Sequence, residues 1–227
     1  MHLNHLRVGT RLTLSFGLVL LITILMAGIG VWRLQELAKI TTELTTTDST
    51  RLSASQQWRA GIEMNWVRTR AALLDSDINR LPQWQAEMDQ ASNVVNAHRK
   101  VVEDLVKTDK GRQMLGDIDK ARAAYRDPRA ELLKRRASGE NLSDALETQL
   151  APLSNAYLRT LDSFVQLQQT SHDEALAQAM DNARQGRVLL IVAAVLAVLL
   201  GASAAVLLSR SISIPLRQAV REAEQIA

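Results

Sequence analysis

Three side chains that suit the binding of a carboxylate lie close together near position 125 of the sequence. Arg122, Tyr125 and Arg129 are spaced i, i+3 and i+7, so they share one face if this stretch is a helix. A guanidinium group pairs with a carboxylate through two parallel hydrogen bonds, and a phenol both donates and accepts. The pattern therefore predicts an anion-binding surface, provided that the fold brings further polar groups alongside it.

The same arginines have a plainer interpretation, as solvated side chains or as members of surface ion pairs. Asp119 lies three residues before Arg122, and Asp127 directly follows Arg126. An exposed pair of this kind contributes only about 0.3–0.5 kcal/mol to stability. Both interpretations stay open at the level of the sequence.

The segment that carries these residues divides into four stretches with leucine, valine and alanine at helical spacings of three and four. Clusters of turn-forming residues separate the stretches, which span about 33–76, 82–107, 112–137 and 143–186. The outer two are each about 44 residues long and the inner two about 26. Because short loops favour antiparallel neighbours, the sequence predicts an all-α fold, an antiparallel up-down four-helix bundle.

Prolines and glycines set the expected boundaries of these helices. Pro82 is expected in a first turn, and Gly111 and Gly139 at helix ends. Pro128 and Pro152 are expected to interrupt the third and fourth helices at nearly the same height, each freeing the carbonyl four residues back. Alternatively, Pro128 begins a new helix with the preceding aspartate as its N-cap.

In such a bundle, residues equally far from the outer end share a height. Counting from that end places Arg68, Arg129 and Pro152 at one level. The polar residues within about two turns of that level are Arg59, Arg122, Tyr125 and Tyr157. We therefore expect a site for a small carboxylate there, with Trp58 and Trp66 nearby as packing anchors.

Two uncharged apolar stretches flank the predicted bundle. Residues 12–32 and 188–209 number 21 and 22, enough for each to cross a bilayer as a helix. A cleaved signal peptide is the alternative for the first stretch, but its apolar core would be shorter and an A-x-A-like site would follow. A buried core helix is the alternative for the second.

Basic residues before the first apolar stretch and after the second place both termini in the cytoplasm. The predicted division of the chain follows from this topology. It comprises a cytoplasmic N-terminus (1–11), a first span (12–32), an extracytoplasmic bundle (33–187), a second span (188–209) and a second cytoplasmic segment (210–227).

Charge and composition argue against several classes of function. The net charge is +3, but residues 33–186 carry 21 basic and 22 acidic side chains, so no nucleic-acid partner is expected. The chain has no cysteine, which excludes a disulfide and a thiolate site. The histidines, His2, His5, His98 and His172, are scattered along the sequence. Without a catalytic triad, paired-carboxylate motif or phosphate loop, we expect no cofactor, no metal and no enzymatic activity.

Several stretches carry a resemblance to a known family. They are the basic start LRVGTRL (6–12), the stretch 150–157 and, above all, SRSISIPLRQAV (209–220). In these stretches the chain resembles the N-terminal half of a bacterial methyl-accepting chemotaxis protein. Residues 209–220 look like the first helix of a HAMP linker, and the second HAMP helix, the methylation helices and the kinase-contacting tip are missing from the 227 residues.

The resemblance implies a homodimer in the bacterial inner membrane, with a periplasmic ligand-binding bundle. It also implies that a small-molecule ligand shifts the fourth helix and second span slightly, and that CheA/CheW are reached only through the missing C-terminal part. In the family, ligand-contacting arginines lie in the outer half of the first helix, a window that here holds Asn65, Trp66, Arg68, Thr69 and Arg70. The predicted ligand-binding residues are Asn65, Arg68, Thr69, Arg122, Tyr125, Arg129 and Tyr157.

The predicted function is thus a transmembrane chemoreceptor for a small extracytoplasmic carboxylate, with organic acids preferred over amino acids because no partner pair for an ammonium group is evident. Two alternatives remain. The same input module could head a sensor histidine kinase or a diguanylate cyclase, which the sequence after residue 227 would decide. The chain could also be a structural helical membrane protein without a ligand.

Overall fold

The computed structural model describes residues 8–224, and these residues contain helices and no strand. Residues 1–7 and 225–227, parts of the predicted cytoplasmic segments 1–11 and 210–227, lie outside the described residues. The α-helices are α1 (Val8–Thr42), α2 (Ser49–Leu74), α3 (Leu81–Leu105), α4 (Asp109–Ala137), the single turn α5 (Ser143–Ala145) and α6 (Ala151–Glu224). Two π-helical segments, Glu43–Asp48 and Leu146–Leu150, and a 3₁₀ turn, Ile78–Arg80, complete the order.

The chain divides into two compact units. The bundle unit comprises Thr41–Ala177, and the apolar unit comprises the described residues up to Ile40 and from Gln178 onward. Within the bundle unit, α2, α3, α4 and the first part of α6 pack around one core. The prediction of an all-α four-helix bundle is confirmed.

Contacts between neighbouring helices of the bundle unit run in opposite order along the two helices. Asn65 of α2 bonds to Ser92 of α3, whereas Thr69, one turn later in α2, contacts Met88, one turn earlier in α3. The side chains of α2 and α6 are paired in the same opposed sense. Successive helices are therefore antiparallel.

Buried residues of the bundle unit recur every seven positions. In α3 they are Leu81, Met88, Val95 and Val102; in α4, Ile118, Tyr125 and Leu132; in α6 and the turn before it, Leu150, Tyr157 and Phe164. A seven-residue repeat keeps one seam of each helix facing its neighbours and is typical of left-handed bundle packing. This seam is the core, and it decides which side chains point inward.

Local signals account for most helix ends. Pro82 lies in the first turn of α3, as predicted. Thr108 is the N-cap of α4, and its hydroxyl accepts a hydrogen bond from the backbone N–H of Gly111 at 3.1 Å. Gly111 thus belongs to the first turn of α4. A Cβ atom at Gly111 would come within 2.6 Å of the side chain of Val106, which explains the glycine there.

Gly139 ends α4 with a left-handed residue, φ +85°. Its N–H donates to the carbonyl of Arg136 at 2.9 Å, and the N–H of Glu140 donates to the carbonyl of Arg135 at 3.4 Å. This pair of bonds is the Schellman arrangement, which satisfies the last carbonyls of a helix. The prediction of a helix end at Gly139 is confirmed.

Neither internal proline interrupts its helix in the way that the sequence predicted. Pro128 lies inside α4, which is helical from Asp109 to Ala137, so the preceding aspartate is not an N-cap. Pro152 is the second residue of α6, which begins directly after the π-helical segment Leu146–Leu150, and the chain stays helical through it. A π turn is wider than an α turn, so it moves the carbonyl of residue i−4 away from the proline ring. The wider π turn therefore accommodates Pro152 without a break in the helix.

The apolar unit contains two helical stretches whose large side chains are exposed, among them Phe16, Leu20 and Val198. The helical stretches Phe16–Leu74 and Ser143–Val206 are long and apolar enough to cross a membrane, by length and composition. Parts of α1 and α6 line a shared groove of about 390 Å³ in this unit, so they lie side by side there. The span boundaries 12–32 and 188–209 stay predictions.

The Schellman turn makes a matched pair of glycine substitutions informative. Gly139→Ala forces a side chain into the left-handed region and should lower the free energy of unfolding by about 1–2 kcal/mol. Gly116→Ala, at an exposed position inside α4 with open space around a Cβ atom, should raise it by roughly 0.5–1 kcal/mol. Near-ultraviolet circular dichroism of the full chain in detergent would follow unfolding, and equal shifts for both variants would contradict the assignment.

Candidate functional site

Four of the predicted ligand-binding residues lie in the interior of the bundle unit. Asn65, Thr69, Tyr125 and Tyr157 are all less than a tenth exposed. Tyr125 reaches Thr69 on α2, and its ring centroid is 6.1 Å from that of Tyr157 on α6. Tyr125 and Tyr157, which the sequence placed within about two turns of one height, are therefore neighbours in the fold.

Polar groups around Thr69 satisfy one another, and we call Asn65, Thr69, Met88, Ser92 and Tyr125 the Thr69 network. The hydroxyl of Thr69 donates to the carbonyl of Asn65 at 2.8 Å and lies 3.3 Å from the sulfur of Met88. Asn65 Nδ2 donates to Ser92 Oγ at 3.2 Å, and the phenol of Tyr125 donates to Thr69 Oγ1 at 3.5 Å. Only Asn65 Oδ1 in this network is buried without a partner.

The two arginines expected at one level have different partners. Arg68 Nε lies 3.6 Å from a carboxylate oxygen of Glu87 on α3. Arg129 lies over the ring of Tyr125, with 6.0 Å between the guanidinium carbon and the ring centroid. Each interaction is a weak one for a half-exposed guanidinium. A ligand shared by Arg68 and Arg129 stays a prediction.

A second group of side chains, the Tyr157 cluster, comprises Trp58, Arg99, Asp119, Arg122 and Tyr157. The phenol oxygen of Tyr157 and the indole Nε1 of Trp58 are both buried without a hydrogen-bond partner. Trp58 lies close enough for its N–H to lower the pKa of the phenol, although the two groups do not reach hydrogen-bond geometry. Buried donors left in this state are uncommon in folded proteins.

Arg99 joins α3 to α4 beside this cluster. Its Nη2 lies 2.9 Å from Asp119 Oδ1, its Nε lies 2.6 Å from Glu103 Oε1, and its guanidinium carbon is 6.0 Å from the ring centroid of Trp58. The Asp119 pairing corrects the sequence-based alternative in which Asp119 was the partner of Arg122. The guanidinium of Arg122 has no ion pair or hydrogen bond with the side chains that the structure describes.

Other sequence-based interpretations are settled by direct contacts. Trp58 and Trp66 belong to the core, as expected for packing anchors, and pack against Phe164 and Tyr125. Arg126 lies 3.8 Å from Asp127, which is the surface pair proposed for it. The role of Arg99 was missed. Its spacing to Glu103 is visible in the sequence, but its contacts with Asp119 and Trp58 depend on packing between helices.

Burial determines the electrostatics of both tyrosines. It raises the pKa of Tyr125, opposed by the Thr69 hydroxyl and by Arg129. It also raises the pKa of Tyr157, opposed by Trp58, Arg122 and Arg99, while Asp119 acts in the same direction as burial. Both phenols are therefore neutral hydrogen-bond donors at neutral pH. No group of three or more metal-binding side chains occurs within the part of the chain that the structure describes.

Comparison with known proteins bears on the whole bundle. A family model described as a four helix bundle sensory module for signal transduction matches residues 5–183. The matched range contains all of the bundle unit and both groups of buried polar side chains. No curated protein matches the sequence.

The buried tyrosines, the only two in the chain, predict an alkaline loss of stability. An unfolded phenol has a pKa of about 10, and the folded value is higher for both. Between these values the folded protein binds more protons than the unfolded chain, so the free energy of unfolding falls as pH rises above about 10. Tyrosinate absorbance and circular dichroism should change together.

The control for this pH effect is the double variant Y125F/Y157F, which should lose less stability over the same pH range. If instead the wild-type phenols ionised with a midpoint near 10 while the bundle stayed folded, the burial argument would be wrong.

Proposed function

Because the chain belongs to the family of four-helix-bundle sensory modules of methyl-accepting chemotaxis proteins, we propose that it is a transmembrane chemoreceptor for a small carboxylate. The observation that carries this proposal is the match over residues 5–183, which includes the entire bundle unit. The family is a signal-transduction module, not a catalytic domain. The bundle would lie in the periplasm, between spans at 12–32 and 188–209, with both termini in the cytoplasm.

The charges around the buried tyrosines support a carboxylate as the ligand. Arg122 and Arg129 are half-buried, and neither forms an ion pair with a side chain that the structure describes. A partly desolvated positive charge without a counter-charge favours the binding of an anion. The neutral phenol of Tyr157 adds a donor at the same height, which suits an organic acid better than a ligand that also needs a partner for an ammonium group.

The contacts of the fourth helix support a route by which binding is passed on. Arg51 donates to Gln168 at 2.7 Å, and Arg59 donates to Asp162 at 2.7 Å, so α2 and α6 are tied by polar contacts within the bundle unit. A ligand changes the signalling state only if it binds one packing of these helices better than another. We expect the shift of α6 to reach the HAMP-like residues 209–220 in a homodimer, and to control CheA/CheW through a C-terminal part.

A ligand screen tests the proposed receptor function. The full chain in lipid nanodiscs should be stabilised against thermal unfolding by at least one organic acid from a panel that also contains aromatic acids and amino acids. A ligand at one hundred times its Kd stabilises the folded state by about 2.7 kcal/mol. The neutral amide of each active acid is the control and should be inactive. A flat response across the panel would favour a structural protein without a ligand.

The absence of cysteine allows the proposed topology to be tested on single-cysteine variants. S138C, at the exposed outer end of the bundle, should react in intact cells with a maleimide that cannot cross the inner membrane. Q218C, beyond the second proposed span, should react only after the membrane is opened. Labelling of Q218C in intact cells, or protection of S138C, would contradict the two-span arrangement.

A further inference from the structure

The groove of about 390 Å³ that α1 and α6 share in the apolar unit lies where both helices leave the proposed spans. Its walls include Gly30 and Ile191 within the spans, and Leu34 and Leu37 beyond them. Most of the other side chains in the walls are also apolar. An occupant of this groove would therefore contact hydrocarbon at one end and the headgroup region of the bilayer at the other.

Two glycines show that the groove is open space. Gly186 is buried, yet a Cβ atom added there would have nothing within 4 Å outside its own turn of helix. The same is true of Gly30 in the wall that α1 contributes. An apolar cavity offers no hydrogen bonds to water and is available to an apolar guest.

Charged side chains in the walls leave a positive charge at the height where the spans end. Arg33 directly follows the first proposed span, and Arg187 directly precedes the second. Arg33 Nη1 lies 3.2 Å from a carboxylate oxygen of Glu36, but Arg33 Nε is buried without a hydrogen-bond partner. Arg187 forms no ion pair with a side chain that the structure describes. Two basic residues and one acidic residue thus leave one positive charge in the walls.

A second copy of the chain does not provide the missing negative charge. Copies in one membrane have the same orientation, so a second copy presents the same residues at this height. Residues 33–39 and 181–187 together carry four basic and two acidic side chains, so this part of a second copy is positive as well. Anionic membrane lipids provide both an apolar chain and a negative group.

We propose that this groove binds one anionic phospholipid of the membrane. The guanidinium groups of Arg33 and Arg187 hold the phosphate, since an arginine fork pairs with two phosphate oxygens. The acyl chain lies along the apolar wall beside Gly186 and Ile191. The inference rests on the membrane arrangement in the proposed function, with spans that end at these two arginines.

Quenching of Trp32 fluorescence by brominated lipids tests the inference. The centroid of the Trp32 ring lies 5.1 Å from the guanidinium carbon of Arg33, so Trp32 reports on this site. The other three tryptophans, Trp58, Trp66 and Trp84, belong to the bundle unit. The full chain is placed in nanodiscs of brominated phosphatidylglycerol in unlabelled phosphatidylcholine, and in nanodiscs with the labels exchanged.

Phosphatidylglycerol should bind beside Trp32 at least fivefold more strongly than phosphatidylcholine. R187Q should lower this preference by about fivefold, the usual effect of one basic residue on an anionic lipid. G186L should abolish it, because the added side chain fills the groove. Far-ultraviolet circular dichroism should show unchanged helix content in both variants.

Two matched controls should keep the wild-type preference. R184Q removes an exposed arginine of the same helix that lies outside the groove. G28L adds a side chain to α1 at an exposed glycine that also has open space and lies outside the groove. An equal loss in R184Q and R187Q would refute the site in favour of general surface charge.

Other outcomes overturn distinct claims. Equal quenching by the two lipids would refute recognition of the phosphate, and a preference that survives in G186L would refute the groove as its location. Loss of the preference on adding excess free glycerol phosphate would show a site for the anion alone. If neither lipid quenched Trp32, the proposed membrane arrangement would fail together with the inference.

Discussion

Buried side chains at seven-residue intervals hold the bundle together, and they also place every polar group in its interior. Tyr125 occupies the same repeat as Ile118 and Leu132, so its phenol has to point into the core. Asn65 stands seven residues from Trp58 and from Ala72, which are both buried. A polar residue at a core position of such a repeat lowers stability unless its hydrogen bonds are made. Polar residues within the apolar repeat therefore mark positions that have a role other than packing.

The two groups of buried polar side chains differ in how many of their hydrogen-bonding atoms have a partner within the group. In the Thr69 network, hydrogen bonds link α2 to α3 and α4, and a single amide oxygen is left over. In the Tyr157 cluster, Trp58 Nε1 and the phenol oxygen of Tyr157 are buried without a partner in hydrogen-bond geometry. A fully hydrogen-bonded network stabilises one arrangement of helices, whereas buried groups without partners lower stability. The Thr69 network is thus suited to hold the fold.

Features governed by neighbours in the sequence could be predicted, and features governed by packing between helices could not. Pro82 and Gly139 act through local backbone geometry, so the beginning of α3 and the end of α4 could be predicted from the sequence. The helix continues through Pro152 because of a π-helical turn, which no local sequence signal predicts. Likewise, Asp119 is three residues from Arg122 in sequence, yet it pairs with Arg99 on another helix. The heights of the site residues could be predicted from the helix lengths. Their contact partners could not, because these depend on how each helix is rotated about its axis.

Tyr157 and the polar contacts lower in the bundle unit are connected through α6. Tyr157 and Gln168 are eleven residues apart, a distance of about 16 Å along a helix. Between them, Leu161 and Phe164 are fully buried, and Phe164 packs against Trp58. Because a close-packed core has little free volume, a movement of α6 at Tyr157 is not absorbed locally and has to repack these residues. The Arg51–Gln168 hydrogen bond, which joins α2 to α6 below them, therefore depends on how α6 packs around Tyr157.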